Sequence, residues 1–74
     1  MPPSLREKLD DIFKYHAPDV DQQVAYEKLR QSAKDFARAI VELTPACADQ
    51  TAAIRLVREA VMTANAAIAL RGLV

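Results

Sequence analysis

Two long segments of the chain, residues 19–44 and 46–71, contain neither proline nor glycine. Proline and glycine are the residues that most often end a regular element, so each segment is free to form one continuous element. Glycine occurs once in the 74 residues, at Gly72, no dipeptide of the hairpin-turn type is present, and alanine is abundant. This pattern predicts an all-α fold.

Each of the two segments has an apolar stripe at helical spacing. The second helix is expected to begin around Asp19 or Asp21 and to end at the sequence TPAC, residues 44–47. The third helix is expected to begin near Cys47 and to run to about Arg71, with the following glycine as its C-cap. Because the connection is short, the two helices must run antiparallel. The stripes alternate spacings of three and four residues and consist of Tyr26, Leu29, Ala33, Phe36, Ile40 and Leu43, then Ile54, Val57, Val61, Ala64 and Ile68.

A short N-terminal helix precedes this long hairpin. Ser4 and Glu7 form a capping-box pattern, and apolar residues follow at helical spacing from Leu5 onwards. The helix should end near Tyr15, because Pro18 pushes the residue before it out of the helical region. The predicted architecture is therefore a short helix followed by a long antiparallel helical hairpin.

The composition predicts that this single domain, residues 1–74, is supported by self-association. With one cysteine, Cys47, and one histidine, His16, the chain offers neither an intramolecular disulfide nor a structural zinc site. Apolar residues make up 51% of the chain, and a third helix that is apolar on several sides must be covered on several sides. We therefore expect a compact, symmetric homo-oligomer. The surplus apolar residues are Leu56, Ala60, Met62, Ala66, Ala67, Leu70, Leu73 and Val74.

Charge and hydropathy exclude several classes of partner. Ten lysines and arginines balance ten aspartates and glutamates, so the chain lacks the basic excess that binds DNA or RNA polymers. No apolar run reaches the roughly 18 residues of a membrane span, and the N-terminal residues do not form an apolar signal segment. We expect a cytoplasmic protein with a reduced thiol, no cofactor, no metal and no membrane partner.

Three cations follow one face of the second helix. Arg30, Lys34 and Arg38 recur at intervals of four residues, with Tyr26 one turn earlier. One interpretation is a solvated face whose charges pair diagonally with nearby acids. The other is a phosphate site, in which arginine grips a phosphate in bidentate fashion and lysine adds a mobile charge. The residues alone leave both interpretations open.

Tyr15 and His16 stand together beside the Pro18 break. Aromatic faces stack on nucleobases, and a tyrosine hydroxyl reaches a base edge or a phosphate. The alternative is that the two side chains close the open end of the hairpin as core residues. No serine, cysteine or carboxylate stands at a spacing that would make His16 a catalytic base, so the sequence favours binding over catalysis.

Three further polar residues receive structural interpretations. Cys47 is expected as a helix N-cap or a small packing residue, since nothing near it in sequence is cationic enough to lower its pKa. Asn65 lies in the alanine-rich run and is expected to make an interhelical hydrogen bond. Arg71 either complements the dipole of the third helix or projects into a pocket between subunits.

The order of several motifs resembles that of a family of small phage proteins. The motifs are FKYHAP at residues 13–18 followed by DQ, then a tyrosine, LR and AK in the second helix, then TP before AVMTANAAIA. They cover the chain from Phe13 to Ala69 and resemble anti-CBASS protein 2 and its relatives, which are cyclic-oligonucleotide sponges.

This resemblance implies a function that composition does not show. Such sponges bind cyclic di- and trinucleotide messengers, for example cyclic GMP-AMP, without cleaving them. They thereby block activation of the CBASS effector in the cytoplasm of the infected bacterial host. Relatives assemble as helical hexamers, with cyclic dinucleotides in pockets between paired subunits and cyclic trinucleotides in separate pockets.

The resemblance also implies roles for individual residues. Tyr15 would stack on a base, and Arg30 would contact the phosphates. Arg71 would supply a cation to the trinucleotide pocket. Thr63 stands where the family often has a bulky residue, a difference that affects packing between subunits. The full set of expected ligand-binding residues is Tyr15, His16, Tyr26, Arg30, Lys34 and Arg71.

Two other functions stay open at this point. A sponge for cyclic ADP-ribose signals would share the helical architecture, so the sequence separates it poorly. An oligomeric helical module that binds another protein would leave the basic stripe solvated. A hydrolase of cyclic nucleotides would need a metal cluster or a nucleophile, and the sequence offers neither.

Overall fold

A computed structural model describes residues 4–73, which form three α-helices and no strand. Helix α1 spans Leu5–Ile12, α2 spans Val20–Leu43 and α3 spans Ala48–Ala69. With 24 and 22 residues, α2 and α3 are roughly 36 and 33 Å long at about 1.5 Å per residue. The prediction of an all-α chain with a helical hairpin is confirmed.

Capping residues explain where the first two helices begin. The Ser4 side chain accepts a hydrogen bond from the Glu7 backbone, and the Glu7 side chain bonds back to the Ser4 backbone. Asp19 and Gln22 form the same reciprocal pair at the start of α2, at 2.8 and 3.0 Å. Each pair satisfies two backbone N–H groups that would otherwise lack partners. Both predicted capping boxes are confirmed.

Two helices end earlier than predicted. Helix α1 stops at Ile12 rather than near Tyr15, because Phe13 already leaves helical geometry with a ψ of 6°. Helix α3 stops at Ala69 rather than near Arg71, because Arg71 has a φ of 52° and is left-handed. The N–H groups of Arg71 and Gly72 bond back to the carbonyls of Ile68 and Ala67, at 3.3 and 3.2 Å, respectively.

These two bonds form a Schellman motif, in which the left-handed position is normally glycine. Here Arg71 occupies that position and Gly72 comes one residue later. A left-handed backbone costs a residue with a Cβ atom roughly 1–2 kcal/mol relative to the right-handed form. The predicted glycine C-cap is thus displaced by one residue, and an arginine bears the strain.

Hydrogen bonds at both ends of the hairpin fix the register of α2 against α3. At the open end, Gln22 Nε2 donates to the Ile68 carbonyl at 2.9 Å, and Gln22 is the buried polar residue of the described chain. At the turn, Gln50 Nε2 donates to the carbonyls of Val41 and Thr44, at 3.4 and 3.1 Å. The two helices therefore lie antiparallel along their whole length.

Helix α1 packs against neither α2 nor α3. Its apolar side chains are uncovered as a result: Leu5 is 65% exposed, and Phe13 just after the helix is 82% exposed. Within residues 4–73 no hydrophobic side chain of the hairpin is fully buried either. The residues that face the interhelical seam, such as Val57 and Val61, are half-buried. A single chain therefore forms a hairpin without a closed core.

The structure changes the interpretation of two polar residues. Cys47 does occupy the N-cap position of α3, but its side chain makes no capping hydrogen bond and is exposed. The Asn65 Oδ1 atom is enclosed without a hydrogen-bond partner among the described residues. The expected interhelical bond of Asn65 is wrong for the single chain, because α2 places no donor within bonding distance of this oxygen.

Candidate functional site

Two grooves lie between α2 and α3, one on each side of their seam. Three seam residues, Ala33, Val57 and Val61, line both grooves. The larger groove, of about 530 Å³, is otherwise bordered by Ser32 and by apolar side chains such as Phe36 and Leu56. The other groove, of about 330 Å³, is bordered by cations. The hairpin thus has one apolar side and one cationic side.

Both helices contribute to the cationic groove. Arg30 and Lys34 reach it from α2, and Arg58 reaches it from α3. None of these three side chains has an ion pair within residues 4–73, where the ion pairs are Lys14–Asp11, Arg38–Asp35 and Arg71–Asp19. The floor of the groove is apolar and consists of Ala33, Ala37, Ile54, Val57, Val61 and Met62. Free cations over an apolar floor suit a ligand with both anionic and flat apolar parts.

The third cation of the predicted stripe behaves differently. Arg38 lies 4.0 Å from Asp35, and Asp35 also accepts a hydrogen bond from Gln31 at 3.0 Å. Arg38 borders a neighbouring hollow nearer the turn, together with Glu42. The interpretation of a solvated, diagonally paired face therefore fits Arg38, whereas Arg30 and Lys34 remain without an acidic partner in the described chain.

Tyr26 lies on the same side of α2 as Arg30, one turn closer to the open end. It is half-buried, and it does not line the cationic groove. Residues four apart on a helix are neighbours on its surface, so its ring extends the row of Arg30 and Lys34. A ligand longer than the groove would meet this ring next.

Tyr15 and His16 lie in the connection between α1 and α2, away from the groove. Tyr15 is 86% exposed, so the alternative that it closes the hairpin as a core residue is wrong for the single chain. The His16 Nε2–H donates to the Asp11 carbonyl at 2.6 Å. This bond holds the ring of His16 against the end of α1 and leaves Nδ1 free of that contact.

The structure does not bring Tyr15 and Arg30 together within one chain. Arg30 lies ten positions after Val20, the first residue of α2, which corresponds to roughly 15 Å along the helix axis. Tyr15 precedes Val20 by a further five residues, in a connection without regular secondary structure, and is not part of the groove lining. A ligand that contacts both side chains would therefore need two copies of the chain or a movement of the connection.

Arg71 lies at the open end of the hairpin and pairs with Asp19. Its Nη2 atom donates to Asp19 Oδ2 at 2.8 Å. The pKa of Asp19 is lowered, first by the hydrogen bond from the Gln22 backbone and then by the bond from Arg71. Arg71 follows α3 rather than ending it, so it serves here as a clasp between the start of α2 and the end of α3.

Two contributors to these sites were missed by the sequence analysis. Arg58 is the α3 cation of the groove, and the antiparallel register would have identified it once the hairpin was predicted. Gln22 was considered as half of a capping box, but its second bond, to Ile68, spans 46 positions of the chain. No local pattern signals such a contact. The place of Arg58 does follow a pattern, because Ile54, Arg58 and Met62 are spaced one turn apart on α3 and all line the groove.

Metal binding and membrane insertion find no support in the part of the chain that the structure describes. Over residues 4–73, there is no group of three or more histidine, cysteine, aspartate or glutamate side chains that could hold a metal ion. Within the same range, the helices are too short or too polar to cross a membrane.

Comparison with known proteins gave one kind of match. No curated protein matches the chain, and no solved structure matches it. A family model described as Acb2/Tad1, hairpin domain, matches residues 6–69. The matched region includes all of α2 and α3 and the connection that contains Tyr15 and His16.

Proposed function

Because the chain belongs to the Acb2/Tad1 hairpin-domain family, we propose that it is a phage anti-defence sponge for cyclic oligonucleotides. It binds cyclic di- and trinucleotide messengers, such as cyclic GMP-AMP, and does not cleave them. Lowering their free concentration in the cytoplasm of the infected bacterium keeps the CBASS effector inactive. The family consists of sponge-type binding proteins rather than enzymes, which agrees with a site that acts by capture.

The observation that best supports this ligand class is the cationic groove between α2 and α3. Arg30 and Lys34 present positive charge without an acidic partner among the described residues, above an apolar floor. A cyclic oligonucleotide presents phosphodiester anions next to flat bases. The phosphates pair with the cations, while a base covers apolar surface such as that of Met62.

The position of Tyr15 supports a pocket built by two copies of the chain. Tyr15 is 86% exposed and is not among the residues that line the groove with Arg30, so a single chain does not enclose a ligand between them. In the assembly that we propose, a homo-oligomer of six chains, Tyr15 of one copy stacks on a base whose phosphates contact Arg30 and Lys34 of another. His16 and Tyr26 border the same pocket.

Arg71 belongs to a separate part of this proposal. Its Nη2 group bonds to Asp19 in the single chain, so the phosphate of a cyclic trinucleotide either shares the guanidinium with that carboxylate or replaces it. Both partners are more than 40% exposed at their side chains, and an exposed ion pair contributes little to stability. The exchange of one anion for another at Arg71 is therefore energetically accessible.

Calorimetric titration with cyclic GMP-AMP, followed by heat release of the ligand and chromatography, tests the proposal. We expect tight binding and recovery of intact ligand. Arg30→Gln should weaken binding at least about tenfold, because one charge-assisted phosphate contact is lost, at about 1.4 kcal/mol per factor of ten. The matched control is Arg55→Gln, which removes one exposed positive charge from α3 outside the groove.

Three results would change the conclusion. Recovery of a linear or hydrolysed ligand would make the protein an enzyme. Binding of cyclic ADP-ribose in preference to cyclic di- and trinucleotides would keep capture and change the ligand. An absence of heat with every member of this ligand panel would overturn the sponge and leave a helical module that binds another protein.

A further inference from the structure

We propose that Arg58 on α3 is a further ligand-binding residue, which grips the same phosphate-bearing ligand from the side opposite to Arg30 and Lys34. This inference rests on the proposed function for the identity of the ligand. It rests on the structure for the site, because Arg58 lines the cationic groove together with the two α2 cations. We call this arrangement a clamp: Arg30 and Lys34 on α2 and Arg58 on α3 contact the ligand from opposite sides of the groove.

The register of the hairpin sets the level of Arg58. In the bonds Gln22–Ile68 and Gln50–Val41, the two residue numbers sum to about 90. Residue 58 therefore lies level with residue 32 or 33 of α2, between the levels of Arg30 and Lys34. Those two cations are four residues apart, which is roughly 6 Å along the helix axis. Arg58 thus faces the interval between them rather than extending the row along α2.

The groove has an excess of positive charge, which favours an anionic ligand. No aspartate or glutamate is among the residues that line it, and none of its three cations has an ion pair within residues 4–73. Like charges that line one groove repel one another, and no acidic side chain of the lining offsets them. A phosphodiester between the helices relieves this repulsion, and a guanidinium can contact its two free oxygens simultaneously.

A clamp of this form links ligand binding to the stability of the hairpin. A ligand that contacts only α2 leaves the pairing of α2 and α3 unchanged, whereas one held by Arg58 as well ties the helices together. Anything that binds only the folded form raises its stability according to concentration and affinity. Ligand should therefore raise the melting temperature of the wild-type protein more than that of a variant without the Arg58 charge.

The experiment compares Arg58→Gln, Arg58→Lys and Arg55→Gln by calorimetric titration with cyclic GMP-AMP. Arg58 is exposed, so the variants should fold, which circular dichroism and a melt without ligand verify. We expect Arg58→Gln to bind about tenfold more weakly, Arg58→Lys to fall between it and the wild type, and Arg55→Gln to stay within about twofold. Binding by Arg58→Gln that equals binding by Arg55→Gln would overturn the inference.

A double variant tests whether Arg58 and Arg30 hold the same group. If both grip one phosphate, the loss for Arg30→Gln with Arg58→Gln should differ clearly from the product of the two single losses. If the loss of affinity in the double variant equals the product of the two single losses, the shared clamp is contradicted, even where each single variant binds weakly.

Failure of the proposed function is distinguishable from failure of this inference. Arg30→Gln weakened and Arg58→Gln unaffected would leave the sponge intact and remove Arg58. If the wild type bound no cyclic oligonucleotide, inorganic pyrophosphate in a thermal melt would test the groove alone. A rise in melting temperature that Arg58→Gln abolishes and Arg55→Gln retains would support the clamp, and equal behaviour of the two variants would overturn it.

Discussion

At the scale of single residues, the Asp19 carboxylate makes two interactions, and both lower its pKa. Its side chain caps α2 through the Gln22 backbone, it pairs with Arg71 at 2.8 Å, and its pKa lies below the ordinary value of 3.8. The unfolded state therefore binds a proton more tightly than the folded state. The stability from this carboxylate is fully present above the unfolded value of 3.8 and is lost as pH falls through the lower folded pKa.

Replacement of Asp19 by asparagine separates the cap from the charge. Asparagine is as good an N-cap as aspartate, so Asp19→Asn keeps the bond to Gln22 and loses the ion pair with Arg71. We expect the variant to be less stable than the wild type near neutral pH. The difference should shrink as pH falls through the depressed pKa of Asp19. Urea denaturation at a series of pH values measures both effects.

Asp21→Asn is the control for the Asp19 experiment, because it also removes a carboxylate from the first turn of α2. Asp21 has no ion pair in the described chain. A stability difference for Asp19→Asn that persists unchanged in acid would show that the Arg71 bond is not responsible.

At the scale of elements, α3 starts less favourably than the other two helices. Ser4 and Asp19 cap α1 and α2 through their side chains, whereas Cys47 occupies the N-cap of α3 without such a bond. We expect Cys47→Ser to raise the free energy of unfolding by about 1 kcal/mol, because serine supplies the oxygen that the first turn of α3 lacks. Chemical denaturation of both proteins under reducing conditions measures the change.

Cys47→Ala removes the thiol without adding an acceptor, so it should stay close to the wild type. Gln50, three residues after Cys47, already bonds to the turn through its Nε2 atom. The hydrogen bonds that a serine at position 47 would gain are therefore those that its side-chain oxygen accepts from backbone N–H groups of α3, without a reciprocal bond from Gln50. Equal stability of the serine and alanine variants would argue against an unfilled cap.

The predictable part of the elements is the part set by local pattern. Spacings of three and four in the stripes of α2 and α3, and the boxes at Ser4 and Asp19, depend on residues within one turn of one another. The end of α3 could not be predicted in the same way, because Arg71 rather than glycine takes the left-handed position. In that position the Arg71 side chain bonds to Asp19, 52 positions away, a contact that no local pattern reveals.

The candidate site was predictable to the same extent. The spacing of Arg30 and Lys34 placed both on one face of α2, and the structure places both in one groove. Arg58 was missed because its place follows from the pairing of two helices rather than from a motif on one. The Asn65 Oδ1 atom lacks a hydrogen-bond partner among residues 4–73, which depends on what α2 offers at that level, and helical spacing does not reveal it.

At the scale of the whole molecule, one chain exposes more surface than a compact protein of its mass. A folded monomer of 8.2 kDa is expected to expose roughly 4,500 Å², whereas this chain exposes 6138 Å². The excess is roughly 1,600 Å², and a standard interface buries about 800 Å² on each partner. An excess of this size is what the proposed homo-oligomer would cover if each chain contacted two neighbours through separate patches.

The apolar groove is the place to test this assembly. Leu56 borders it and is 64% exposed in the single chain, where a carboxylate would be tolerated. In an oligomer that covers the groove, Leu56→Glu would bury an unpaired charge, which is strongly unfavourable. We expect the wild type to sediment at several times 8.2 kDa, with six chains as the proposed number, and Leu56→Glu to shift towards single chains of lower helix content.

Arg55→Glu is the comparison for Leu56→Glu, because it places the same carboxylate one residue earlier on α3, outside both grooves. It should keep the mass and the helix content of the wild type. Equal sedimentation of the two variants at the wild-type mass would show that the apolar groove is not an interface.

The reason to expect assembly is that residues 4–73 contain no buried hydrophobic side chain. A wild type that sediments as a single stable chain would contradict this reasoning. In that case the pocket that joins Tyr15 of one copy to Arg30 of another would also have to be abandoned, since it exists only if the chains associate.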